Sequence, residues 1–110
     1  MYNKYNINFD EAIKCGRMYV EILKERVNTL HCDDFILRDI QETMLKYLEE
    51  GDYQNYFIEL LYLSIYVLVK NNVVETRTTE VLDNHLDKLE EEKQEALKTV
   101  EEYIDSYLRV

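Results

Sequence analysis

The side chains best able to do chemistry gather around position 30. Arg26 and His31 stand in an Arg-x4-His spacing, a fixed cation five residues from an acid–base group. His31, Cys32, Asp33 and Asp34 follow one another and are all potential metal ligands. Four consecutive residues at a helix junction cannot surround one ion, however, and the remote ligands needed to close a site are limited to His85, Cys15 and carboxylates. The same residues read more simply as two helix caps, a buried thiol and a histidine near a helix C-terminus, where its charge suits the dipole. Further along, Glu92-x-x-Glu95 and Glu102-x-x-Asp105 pair carboxylates one turn apart. Both pairs fall on one straight helix, which cannot clamp a cation from two sides.

Two resemblances attach to these spacings. Arg26-Val27-Asn28-Thr29-Leu30-His31 resembles the active-site motif of HEPN-type ribonucleases, small helical bundles that cleave RNA in a dimer cleft. That family has a polar residue after the arginine and carries the motif in a late helix, whereas here Val27 follows and the motif closes the first helix. The Glu-x-x-Glu and Glu-x-x-Asp pairs resemble those of MazG and dimeric dUTPase nucleotide pyrophosphatases, which hold magnesium between separate helices. Glu-x-x-His pairs of ferritin-like bundles are missing, since Asn28 and Leu82 stand three before the two histidines. Gly16 and Gly51 are the only glycines, so the sequence holds no glycine-rich phosphate loop.

The elements that would carry these residues are helices. The 110-residue chain has no proline and two glycines, too little punctuation for a sheet or a loop-rich domain, while 46% hydrophobic content is enough for a core. The expected fold is all-α, a single-domain four-helix bundle with helices at about 9–31, 34–50, 53–70 and 79–109. Asn8 with Glu11 forms a capping box before the seam Phe9, Ile13, Val20, Leu23, Val27 and Leu30. Gly16 fills the gap in that seam and predicts close approach of another backbone. Asp33 or Asp34 caps helix 2, Gly51 ends it, Asp52 caps helix 3, and helices 2 and 3 form a tight hairpin. Helix 3 is apolar nearly all round, which predicts burial on most sides. Thr78 or Thr79 caps a last helix about 45 Å long, with a seam at Leu82, Leu86, Leu89, Lys93, Ala96, Val100, Tyr103 and Tyr107. Its overhang beyond the shorter helices suggests a homodimer, against the alternative that helices 1 and 4 cover helix 3 unaided.

Charge narrows the function. With 13 Lys and Arg against 23 Asp and Glu the net charge is −10, opposed to the basic surface that phosphate binding requires. The excess is local: residues 33–52 carry two basic and seven acidic side chains and residues 73–110 carry five and eleven, whereas residues 1–32 carry five and four. Two cysteines without CxxC spacing read as free thiols, and the N-terminal residues lack a signal-peptide pattern, so a cytoplasmic location is expected. The most apolar run, Leu60–Val69, is shorter than the roughly 20 residues that cross a bilayer.

The expected function is accordingly that of a non-enzymatic, cofactor-free protein-binding module. The class is an inhibitor of the immunity, antitoxin or anti-defence type that presents an acidic face to a basic, nucleic-acid-handling partner. The candidate contacts are Asp39, Glu42, Glu49, Glu50, Glu90, Glu91, Glu92 and Glu95, with no metal, no direct nucleic acid and no membrane. The alternatives are a homo-oligomeric assembly protein, a HEPN-like ribonuclease, and a small-molecule sponge whose anion site would use Lys14, Arg17, Lys24 and Arg26.

Overall fold

In the computed structural model the described residues are 3–25, 34–71 and 78–109. They form five helices and no strand: α1 Phe9–Glu25, α2 Asp34–Glu50, α3 Tyr53–Asn71, α4 Thr78–Glu91 and α5 Lys93–Leu108. The all-helical class expected from the composition is what forms. The expected continuation of helix 1 through His31 lies outside the described residues, as do the caps assigned to Asp33 and to the side chains of Asp34, Thr78 and Thr79.

Local chemistry sets three helix ends as expected. Asn8 Oδ1 accepts from the Glu11 amide at 3.0 Å, satisfying a donor that the first turn of α1 cannot pair internally. At the end of α2 Gly51 has φ +74°, its amide donates to the Leu48 carbonyl at 3.2 Å, and the Asp52 amide donates to the Tyr47 carbonyl at 2.9 Å. That pair of bonds is the Schellman arrangement, which needs a residue tolerant of positive φ at its centre. Asp52 then caps α3 through the Asn55 amide at 3.2 Å, so α2 reverses into α3 with one residue of each helix end committed to the turn.

Helix α3 is the centre of the molecule, with α2 on one flank and α1 and α4 on the other. The α1 and α3 axes run in the same direction, since Phe9 stacks near Phe57 at 5.9 Å between centroids and Tyr19 near Tyr62 at 4.7 Å. A Gln54 amide fastens the two helix starts by accepting from the Asn8 amide at 2.6 Å and donating to its carbonyl at 3.0 Å. Helix α4 runs the other way. Where the sequence predicts a backbone near Gly16, the neighbours are side chains: a Cβ there would lie 3.3 Å from Leu86 Cδ2 and 3.7 Å from Ile65 Cδ1. The missing side chain therefore admits Leu86 of α4 and Ile65 of α3 to a shared contact, and both are fully buried.

The largest departure is in the last helix. A straight helix from Thr78 to Leu108 would be about 46 Å long, exceeding the longest axis of the molecule, 41 Å. The chain instead breaks at Glu92, where φ −108° and ψ 36° leave the helical region, and restarts as α5. Hydrogen bonding persists across the break, from the Glu92 amide to the Lys88 carbonyl at 2.9 Å and from the Ala96 amide to the Glu92 carbonyl at 3.0 Å. The buried positions after it are Leu97, Val100 and Ile104; of the expected Ala96, Val100, Tyr103 and Tyr107 only Val100 is among them, and Tyr103 is half exposed. At its start α5 lies beside the first turn of α1, where Lys93 Nζ stands 3.8 Å from Asp10.

The chain's own N-terminal residues pack on one side of α5. Residues 3–6 turn with Asn6 at φ 55°, a conformation asparagine tolerates, and Asn3 bonds the Ile7 backbone through both its amide groups. The Lys4 amide donates to Glu101 at 2.8 Å, Lys4 Nζ to Asp105 at 2.9 Å, and the Tyr5 hydroxyl donates to the same Asp105 carboxylate. At the other end of α5 Lys93 Nζ stands 5.4 Å from the Phe9 ring centre. Among the described residues no helix is long and apolar enough to cross a membrane.

Candidate functional site

All eight predicted contact residues are exposed, but they are not one surface. Asp39, Glu42, Glu49 and Glu50 lie on α2, which packs on α3. Glu90 and Glu91 lie at the end of α4, which packs on α1 and α3, and Glu92 and Glu95 lie at the break and in the first turn of α5.

The α4–α5 group divides further. Arg17 of α1 donates to Asp87 at 2.9 Å and to Glu90 at 2.8 Å, which ties both carboxylates to the helix interface and holds the guanidinium pKa above its ordinary value. Glu90 is thus part of a structural ion pair. Lys93 of α5 stands 3.8 Å from Asp10 of α1. Glu91, Glu92 and Glu95 make no ion pair with the described residues and project at the break between the helices.

Beside this group lies a feature the sequence reading missed. One face of α3 stays open toward α4 and α5, forming a groove of about 560 Å³ lined by Leu60, Leu63 and Val67 of α3, His85 of α4, and Ala96 and Tyr103 of α5, with further apolar side chains at its floor. Helix α3 was expected to be buried on most sides, and its buried residues do spread round most of the helix; along the groove Leu60, Leu63 and Leu68 are half-buried and Val67 is exposed. The one legible signal was that α3 is apolar nearly all the way round. Its polar lining includes Ser64, His85 and Thr99, with Ser64 Oγ 3.2 Å from His85 Nε2. Burial first, and then the Lys88 charge, lowers the His85 pKa, so the ring is held neutral.

Comparison with known protein families, with curated proteins and with solved structures gave no match. The site must be read from its chemistry alone.

The remaining titratable groups are shaped by their burial and partners. Cys15 is a thiol without a disulfide, placed with Tyr62 between α1 and α3. Burial pushes the Tyr62 hydroxyl up to about 12, with Cys15, Glu59 and Tyr19 adding to it, and burial raises Tyr19 as well. Both phenols are harder to ionise than usual, the opposite of what a base or nucleophile requires. Glu59 is raised by burial and then by Asp39 across the α2–α3 contact. Among the described residues no three His, Cys, Asp or Glu side chains come together around a metal position. Asp105 of the Glu102-x-x-Asp105 pair is held by Tyr5 and Lys4, whose hydrogen bonds lower its pKa. Arg26, His31, Cys32 and Asp33 lie outside the described residues. Of the suggested anion site, Lys14 and Arg17 line a second groove over Phe9, Ile13 and Met18, but Asp10, Glu21 and Glu90 share it and Arg17 is committed to two carboxylates.

Proposed function

We propose that this protein is a small acidic binding module that docks on a basic surface of another protein, with the junction of α4 and α5 as its contact point. An inhibitor of a nucleic-acid-handling partner is the class this reading serves best, because such partners display the basic grooves that an acidic face blocks. The observation that carries it is the contrast among the carboxylates. Asp10, Asp87, Glu90, Glu101 and Asp105 are all engaged by cations or backbone amides of the same chain. Glu91, Glu92 and Glu95 stand exposed together without such partners. Surface charges left unpaired repel one another and raise no stability, but they accelerate encounter with an opposite surface.

The test is charge reversal of Glu91, Glu92 and Glu95 to lysine, leaving Glu90 in its pair with Arg17. Capture of binding partners from native lysate at low salt should fall at least tenfold relative to the unaltered chain, and high salt should abolish the difference. Equal capture by the two proteins at low salt would overturn the reading. Asp39, Glu42, Glu49 and Glu50 on α2 form a separate patch, and reversing them should have the smaller effect.

A further inference from the structure

We infer that two copies of this chain exchange α5: each opens at Glu92, straightens α4 and α5 into one helix, and docks its α5 in the place the other has vacated. Nothing local calls for the break between the two helices. Kinks arise at proline, at glycine and serine, or where a group inserts into the helix, and residues 80–98 contain no proline, glycine or serine. Residues 88–98 are Lys, Leu, Glu, Gln and Ala alone, all strong helix formers. Yet Glu92 stands at φ −108° and ψ 36°. The apolar pattern also runs straight through it. Leu82 and Leu86 before the break and Leu97, Val100 and Ile104 after it are fully buried, and Leu89 and Lys93 join the two groups in steps of three and four. A straight helix therefore carries all seven on one face, so the bend comes from where α5 docks and not from its sequence.

The docking site for α5 is distant in the chain. Lys4 and Tyr5 hold Asp105, the Lys4 amide donates to Glu101, and Lys93 stands beside Asp10 and the Phe9 ring. A second copy supplies each of these contacts in the same geometry, so exchange costs association entropy and a change at one hinge residue, and regains helix at the junction.

Charge sets when this happens. In the exchanged pair the partner's Lys93 lies where the chain's own had been, next to Glu92, so the two junctions meet and bring together two sets of Glu91, Glu92 and Glu95. These carboxylates make no ion pair with the described residues. Their repulsion holds the copies apart at low ionic strength, and salt relieves it. Docking on a basic partner has the opposite salt dependence, so the exchange and the proposed function stand or fall separately.

The test uses the full chain, with light scattering for mass and isotope-filtered NMR on labelled and unlabelled chains mixed in urea and refolded together. The dimer fraction should rise as the chain goes from micromolar to millimolar concentration and as salt is raised to about 0.5 M. In that dimer, contacts between the Phe9 ring and the Lys93 methylenes, which lie at one end of the exchanged helix, should appear between chains. Glu92→Ala and Glu92→Gly remove the same charge but differ in helix preference, and each dimer holds two junctions. The alanine variant should therefore dimerise at least tenfold more tightly than the glycine variant. An alanine variant that stays monomeric at millimolar concentration in high salt would overturn the exchange. So would a dimer whose Phe9–Lys93 contacts remain within one chain, or equal dimerisation of the two variants.

Discussion

Leu86 of α4 rests in the space that Gly16 of α1 leaves open, and a Cβ at position 16 would approach its Cδ2 to 3.3 Å. The atom met is the end of a flexible side chain, which can retreat by a few tenths of an ångström. Gly16→Ala should therefore change stability by less than about 1 kcal/mol, because the helix-propensity gain of similar size offsets the tighter contact. Gly16→Leu cannot be relieved in this way and should cost about 1–3 kcal/mol or more. Urea unfolding of the two variants checks the difference; equal stability would mean that Leu86 does not pack there.

At Gly51 the space is open and the backbone is the constraint. No atom lies within 4 Å of a Cβ built there, yet φ is +74°. Gly51→Ala should cost about 1–2 kcal/mol from the left-handed conformation alone, and Gly51→Asn clearly less. Thermal unfolding of the pair separates conformational strain from steric conflict.

His85 makes stability depend on pH. Its folded pKa is below the ordinary 6.5, chiefly through burial, so between the two values the unfolded chain binds more protons than the folded one. Stability from this group is complete above about pH 6.5 and falls as the pH drops toward the lower folded value, with a slope no steeper than about 1.4 kcal/mol per pH unit. His85→Gln should flatten urea midpoints over that range.

Asp105 acts at lower pH with the usual carboxylate sign. Hydrogen bonds from Tyr5 and Lys4 depress its pKa, so its contribution is present above the ordinary carboxylate value and is lost as the pH falls through the depressed one. Asp105→Asn should remove that acid dependence and release residues 3–8 from α5, seen as faster amide hydrogen exchange at Ile7 and Asn8 with α2 and α3 unaffected.

Legibility followed the range of the interaction. The caps at Asn8 and Asp52 and the stop at Gly51 were readable because each joins residues within five positions of one another. The packing partner of α5 was not, because Lys4 and Glu101 meet across 97 positions and nothing near either residue encodes the other. The candidate contacts show the same division. Exposure of the eight acidic residues followed from the pattern of each helix, whereas the pairing of Glu90 with Arg17 depended on how α1 and α4 cross.

By itself, then, the sequence determined an all-helical chain, the hairpin of α2 and α3, and the placement of negative charge on α2 and the C-terminal helices. Helix period, capping chemistry and composition act within a few residues and need no knowledge of neighbours. Only the tertiary structure decided that the last helix breaks at Glu92, that the N-terminal residues pack on one side of α5, and that an apolar face of α3 stays open beside α4 and α5. Those outcomes depend on which buried side chains can reach one core together, a competition among distant segments that no local pattern records.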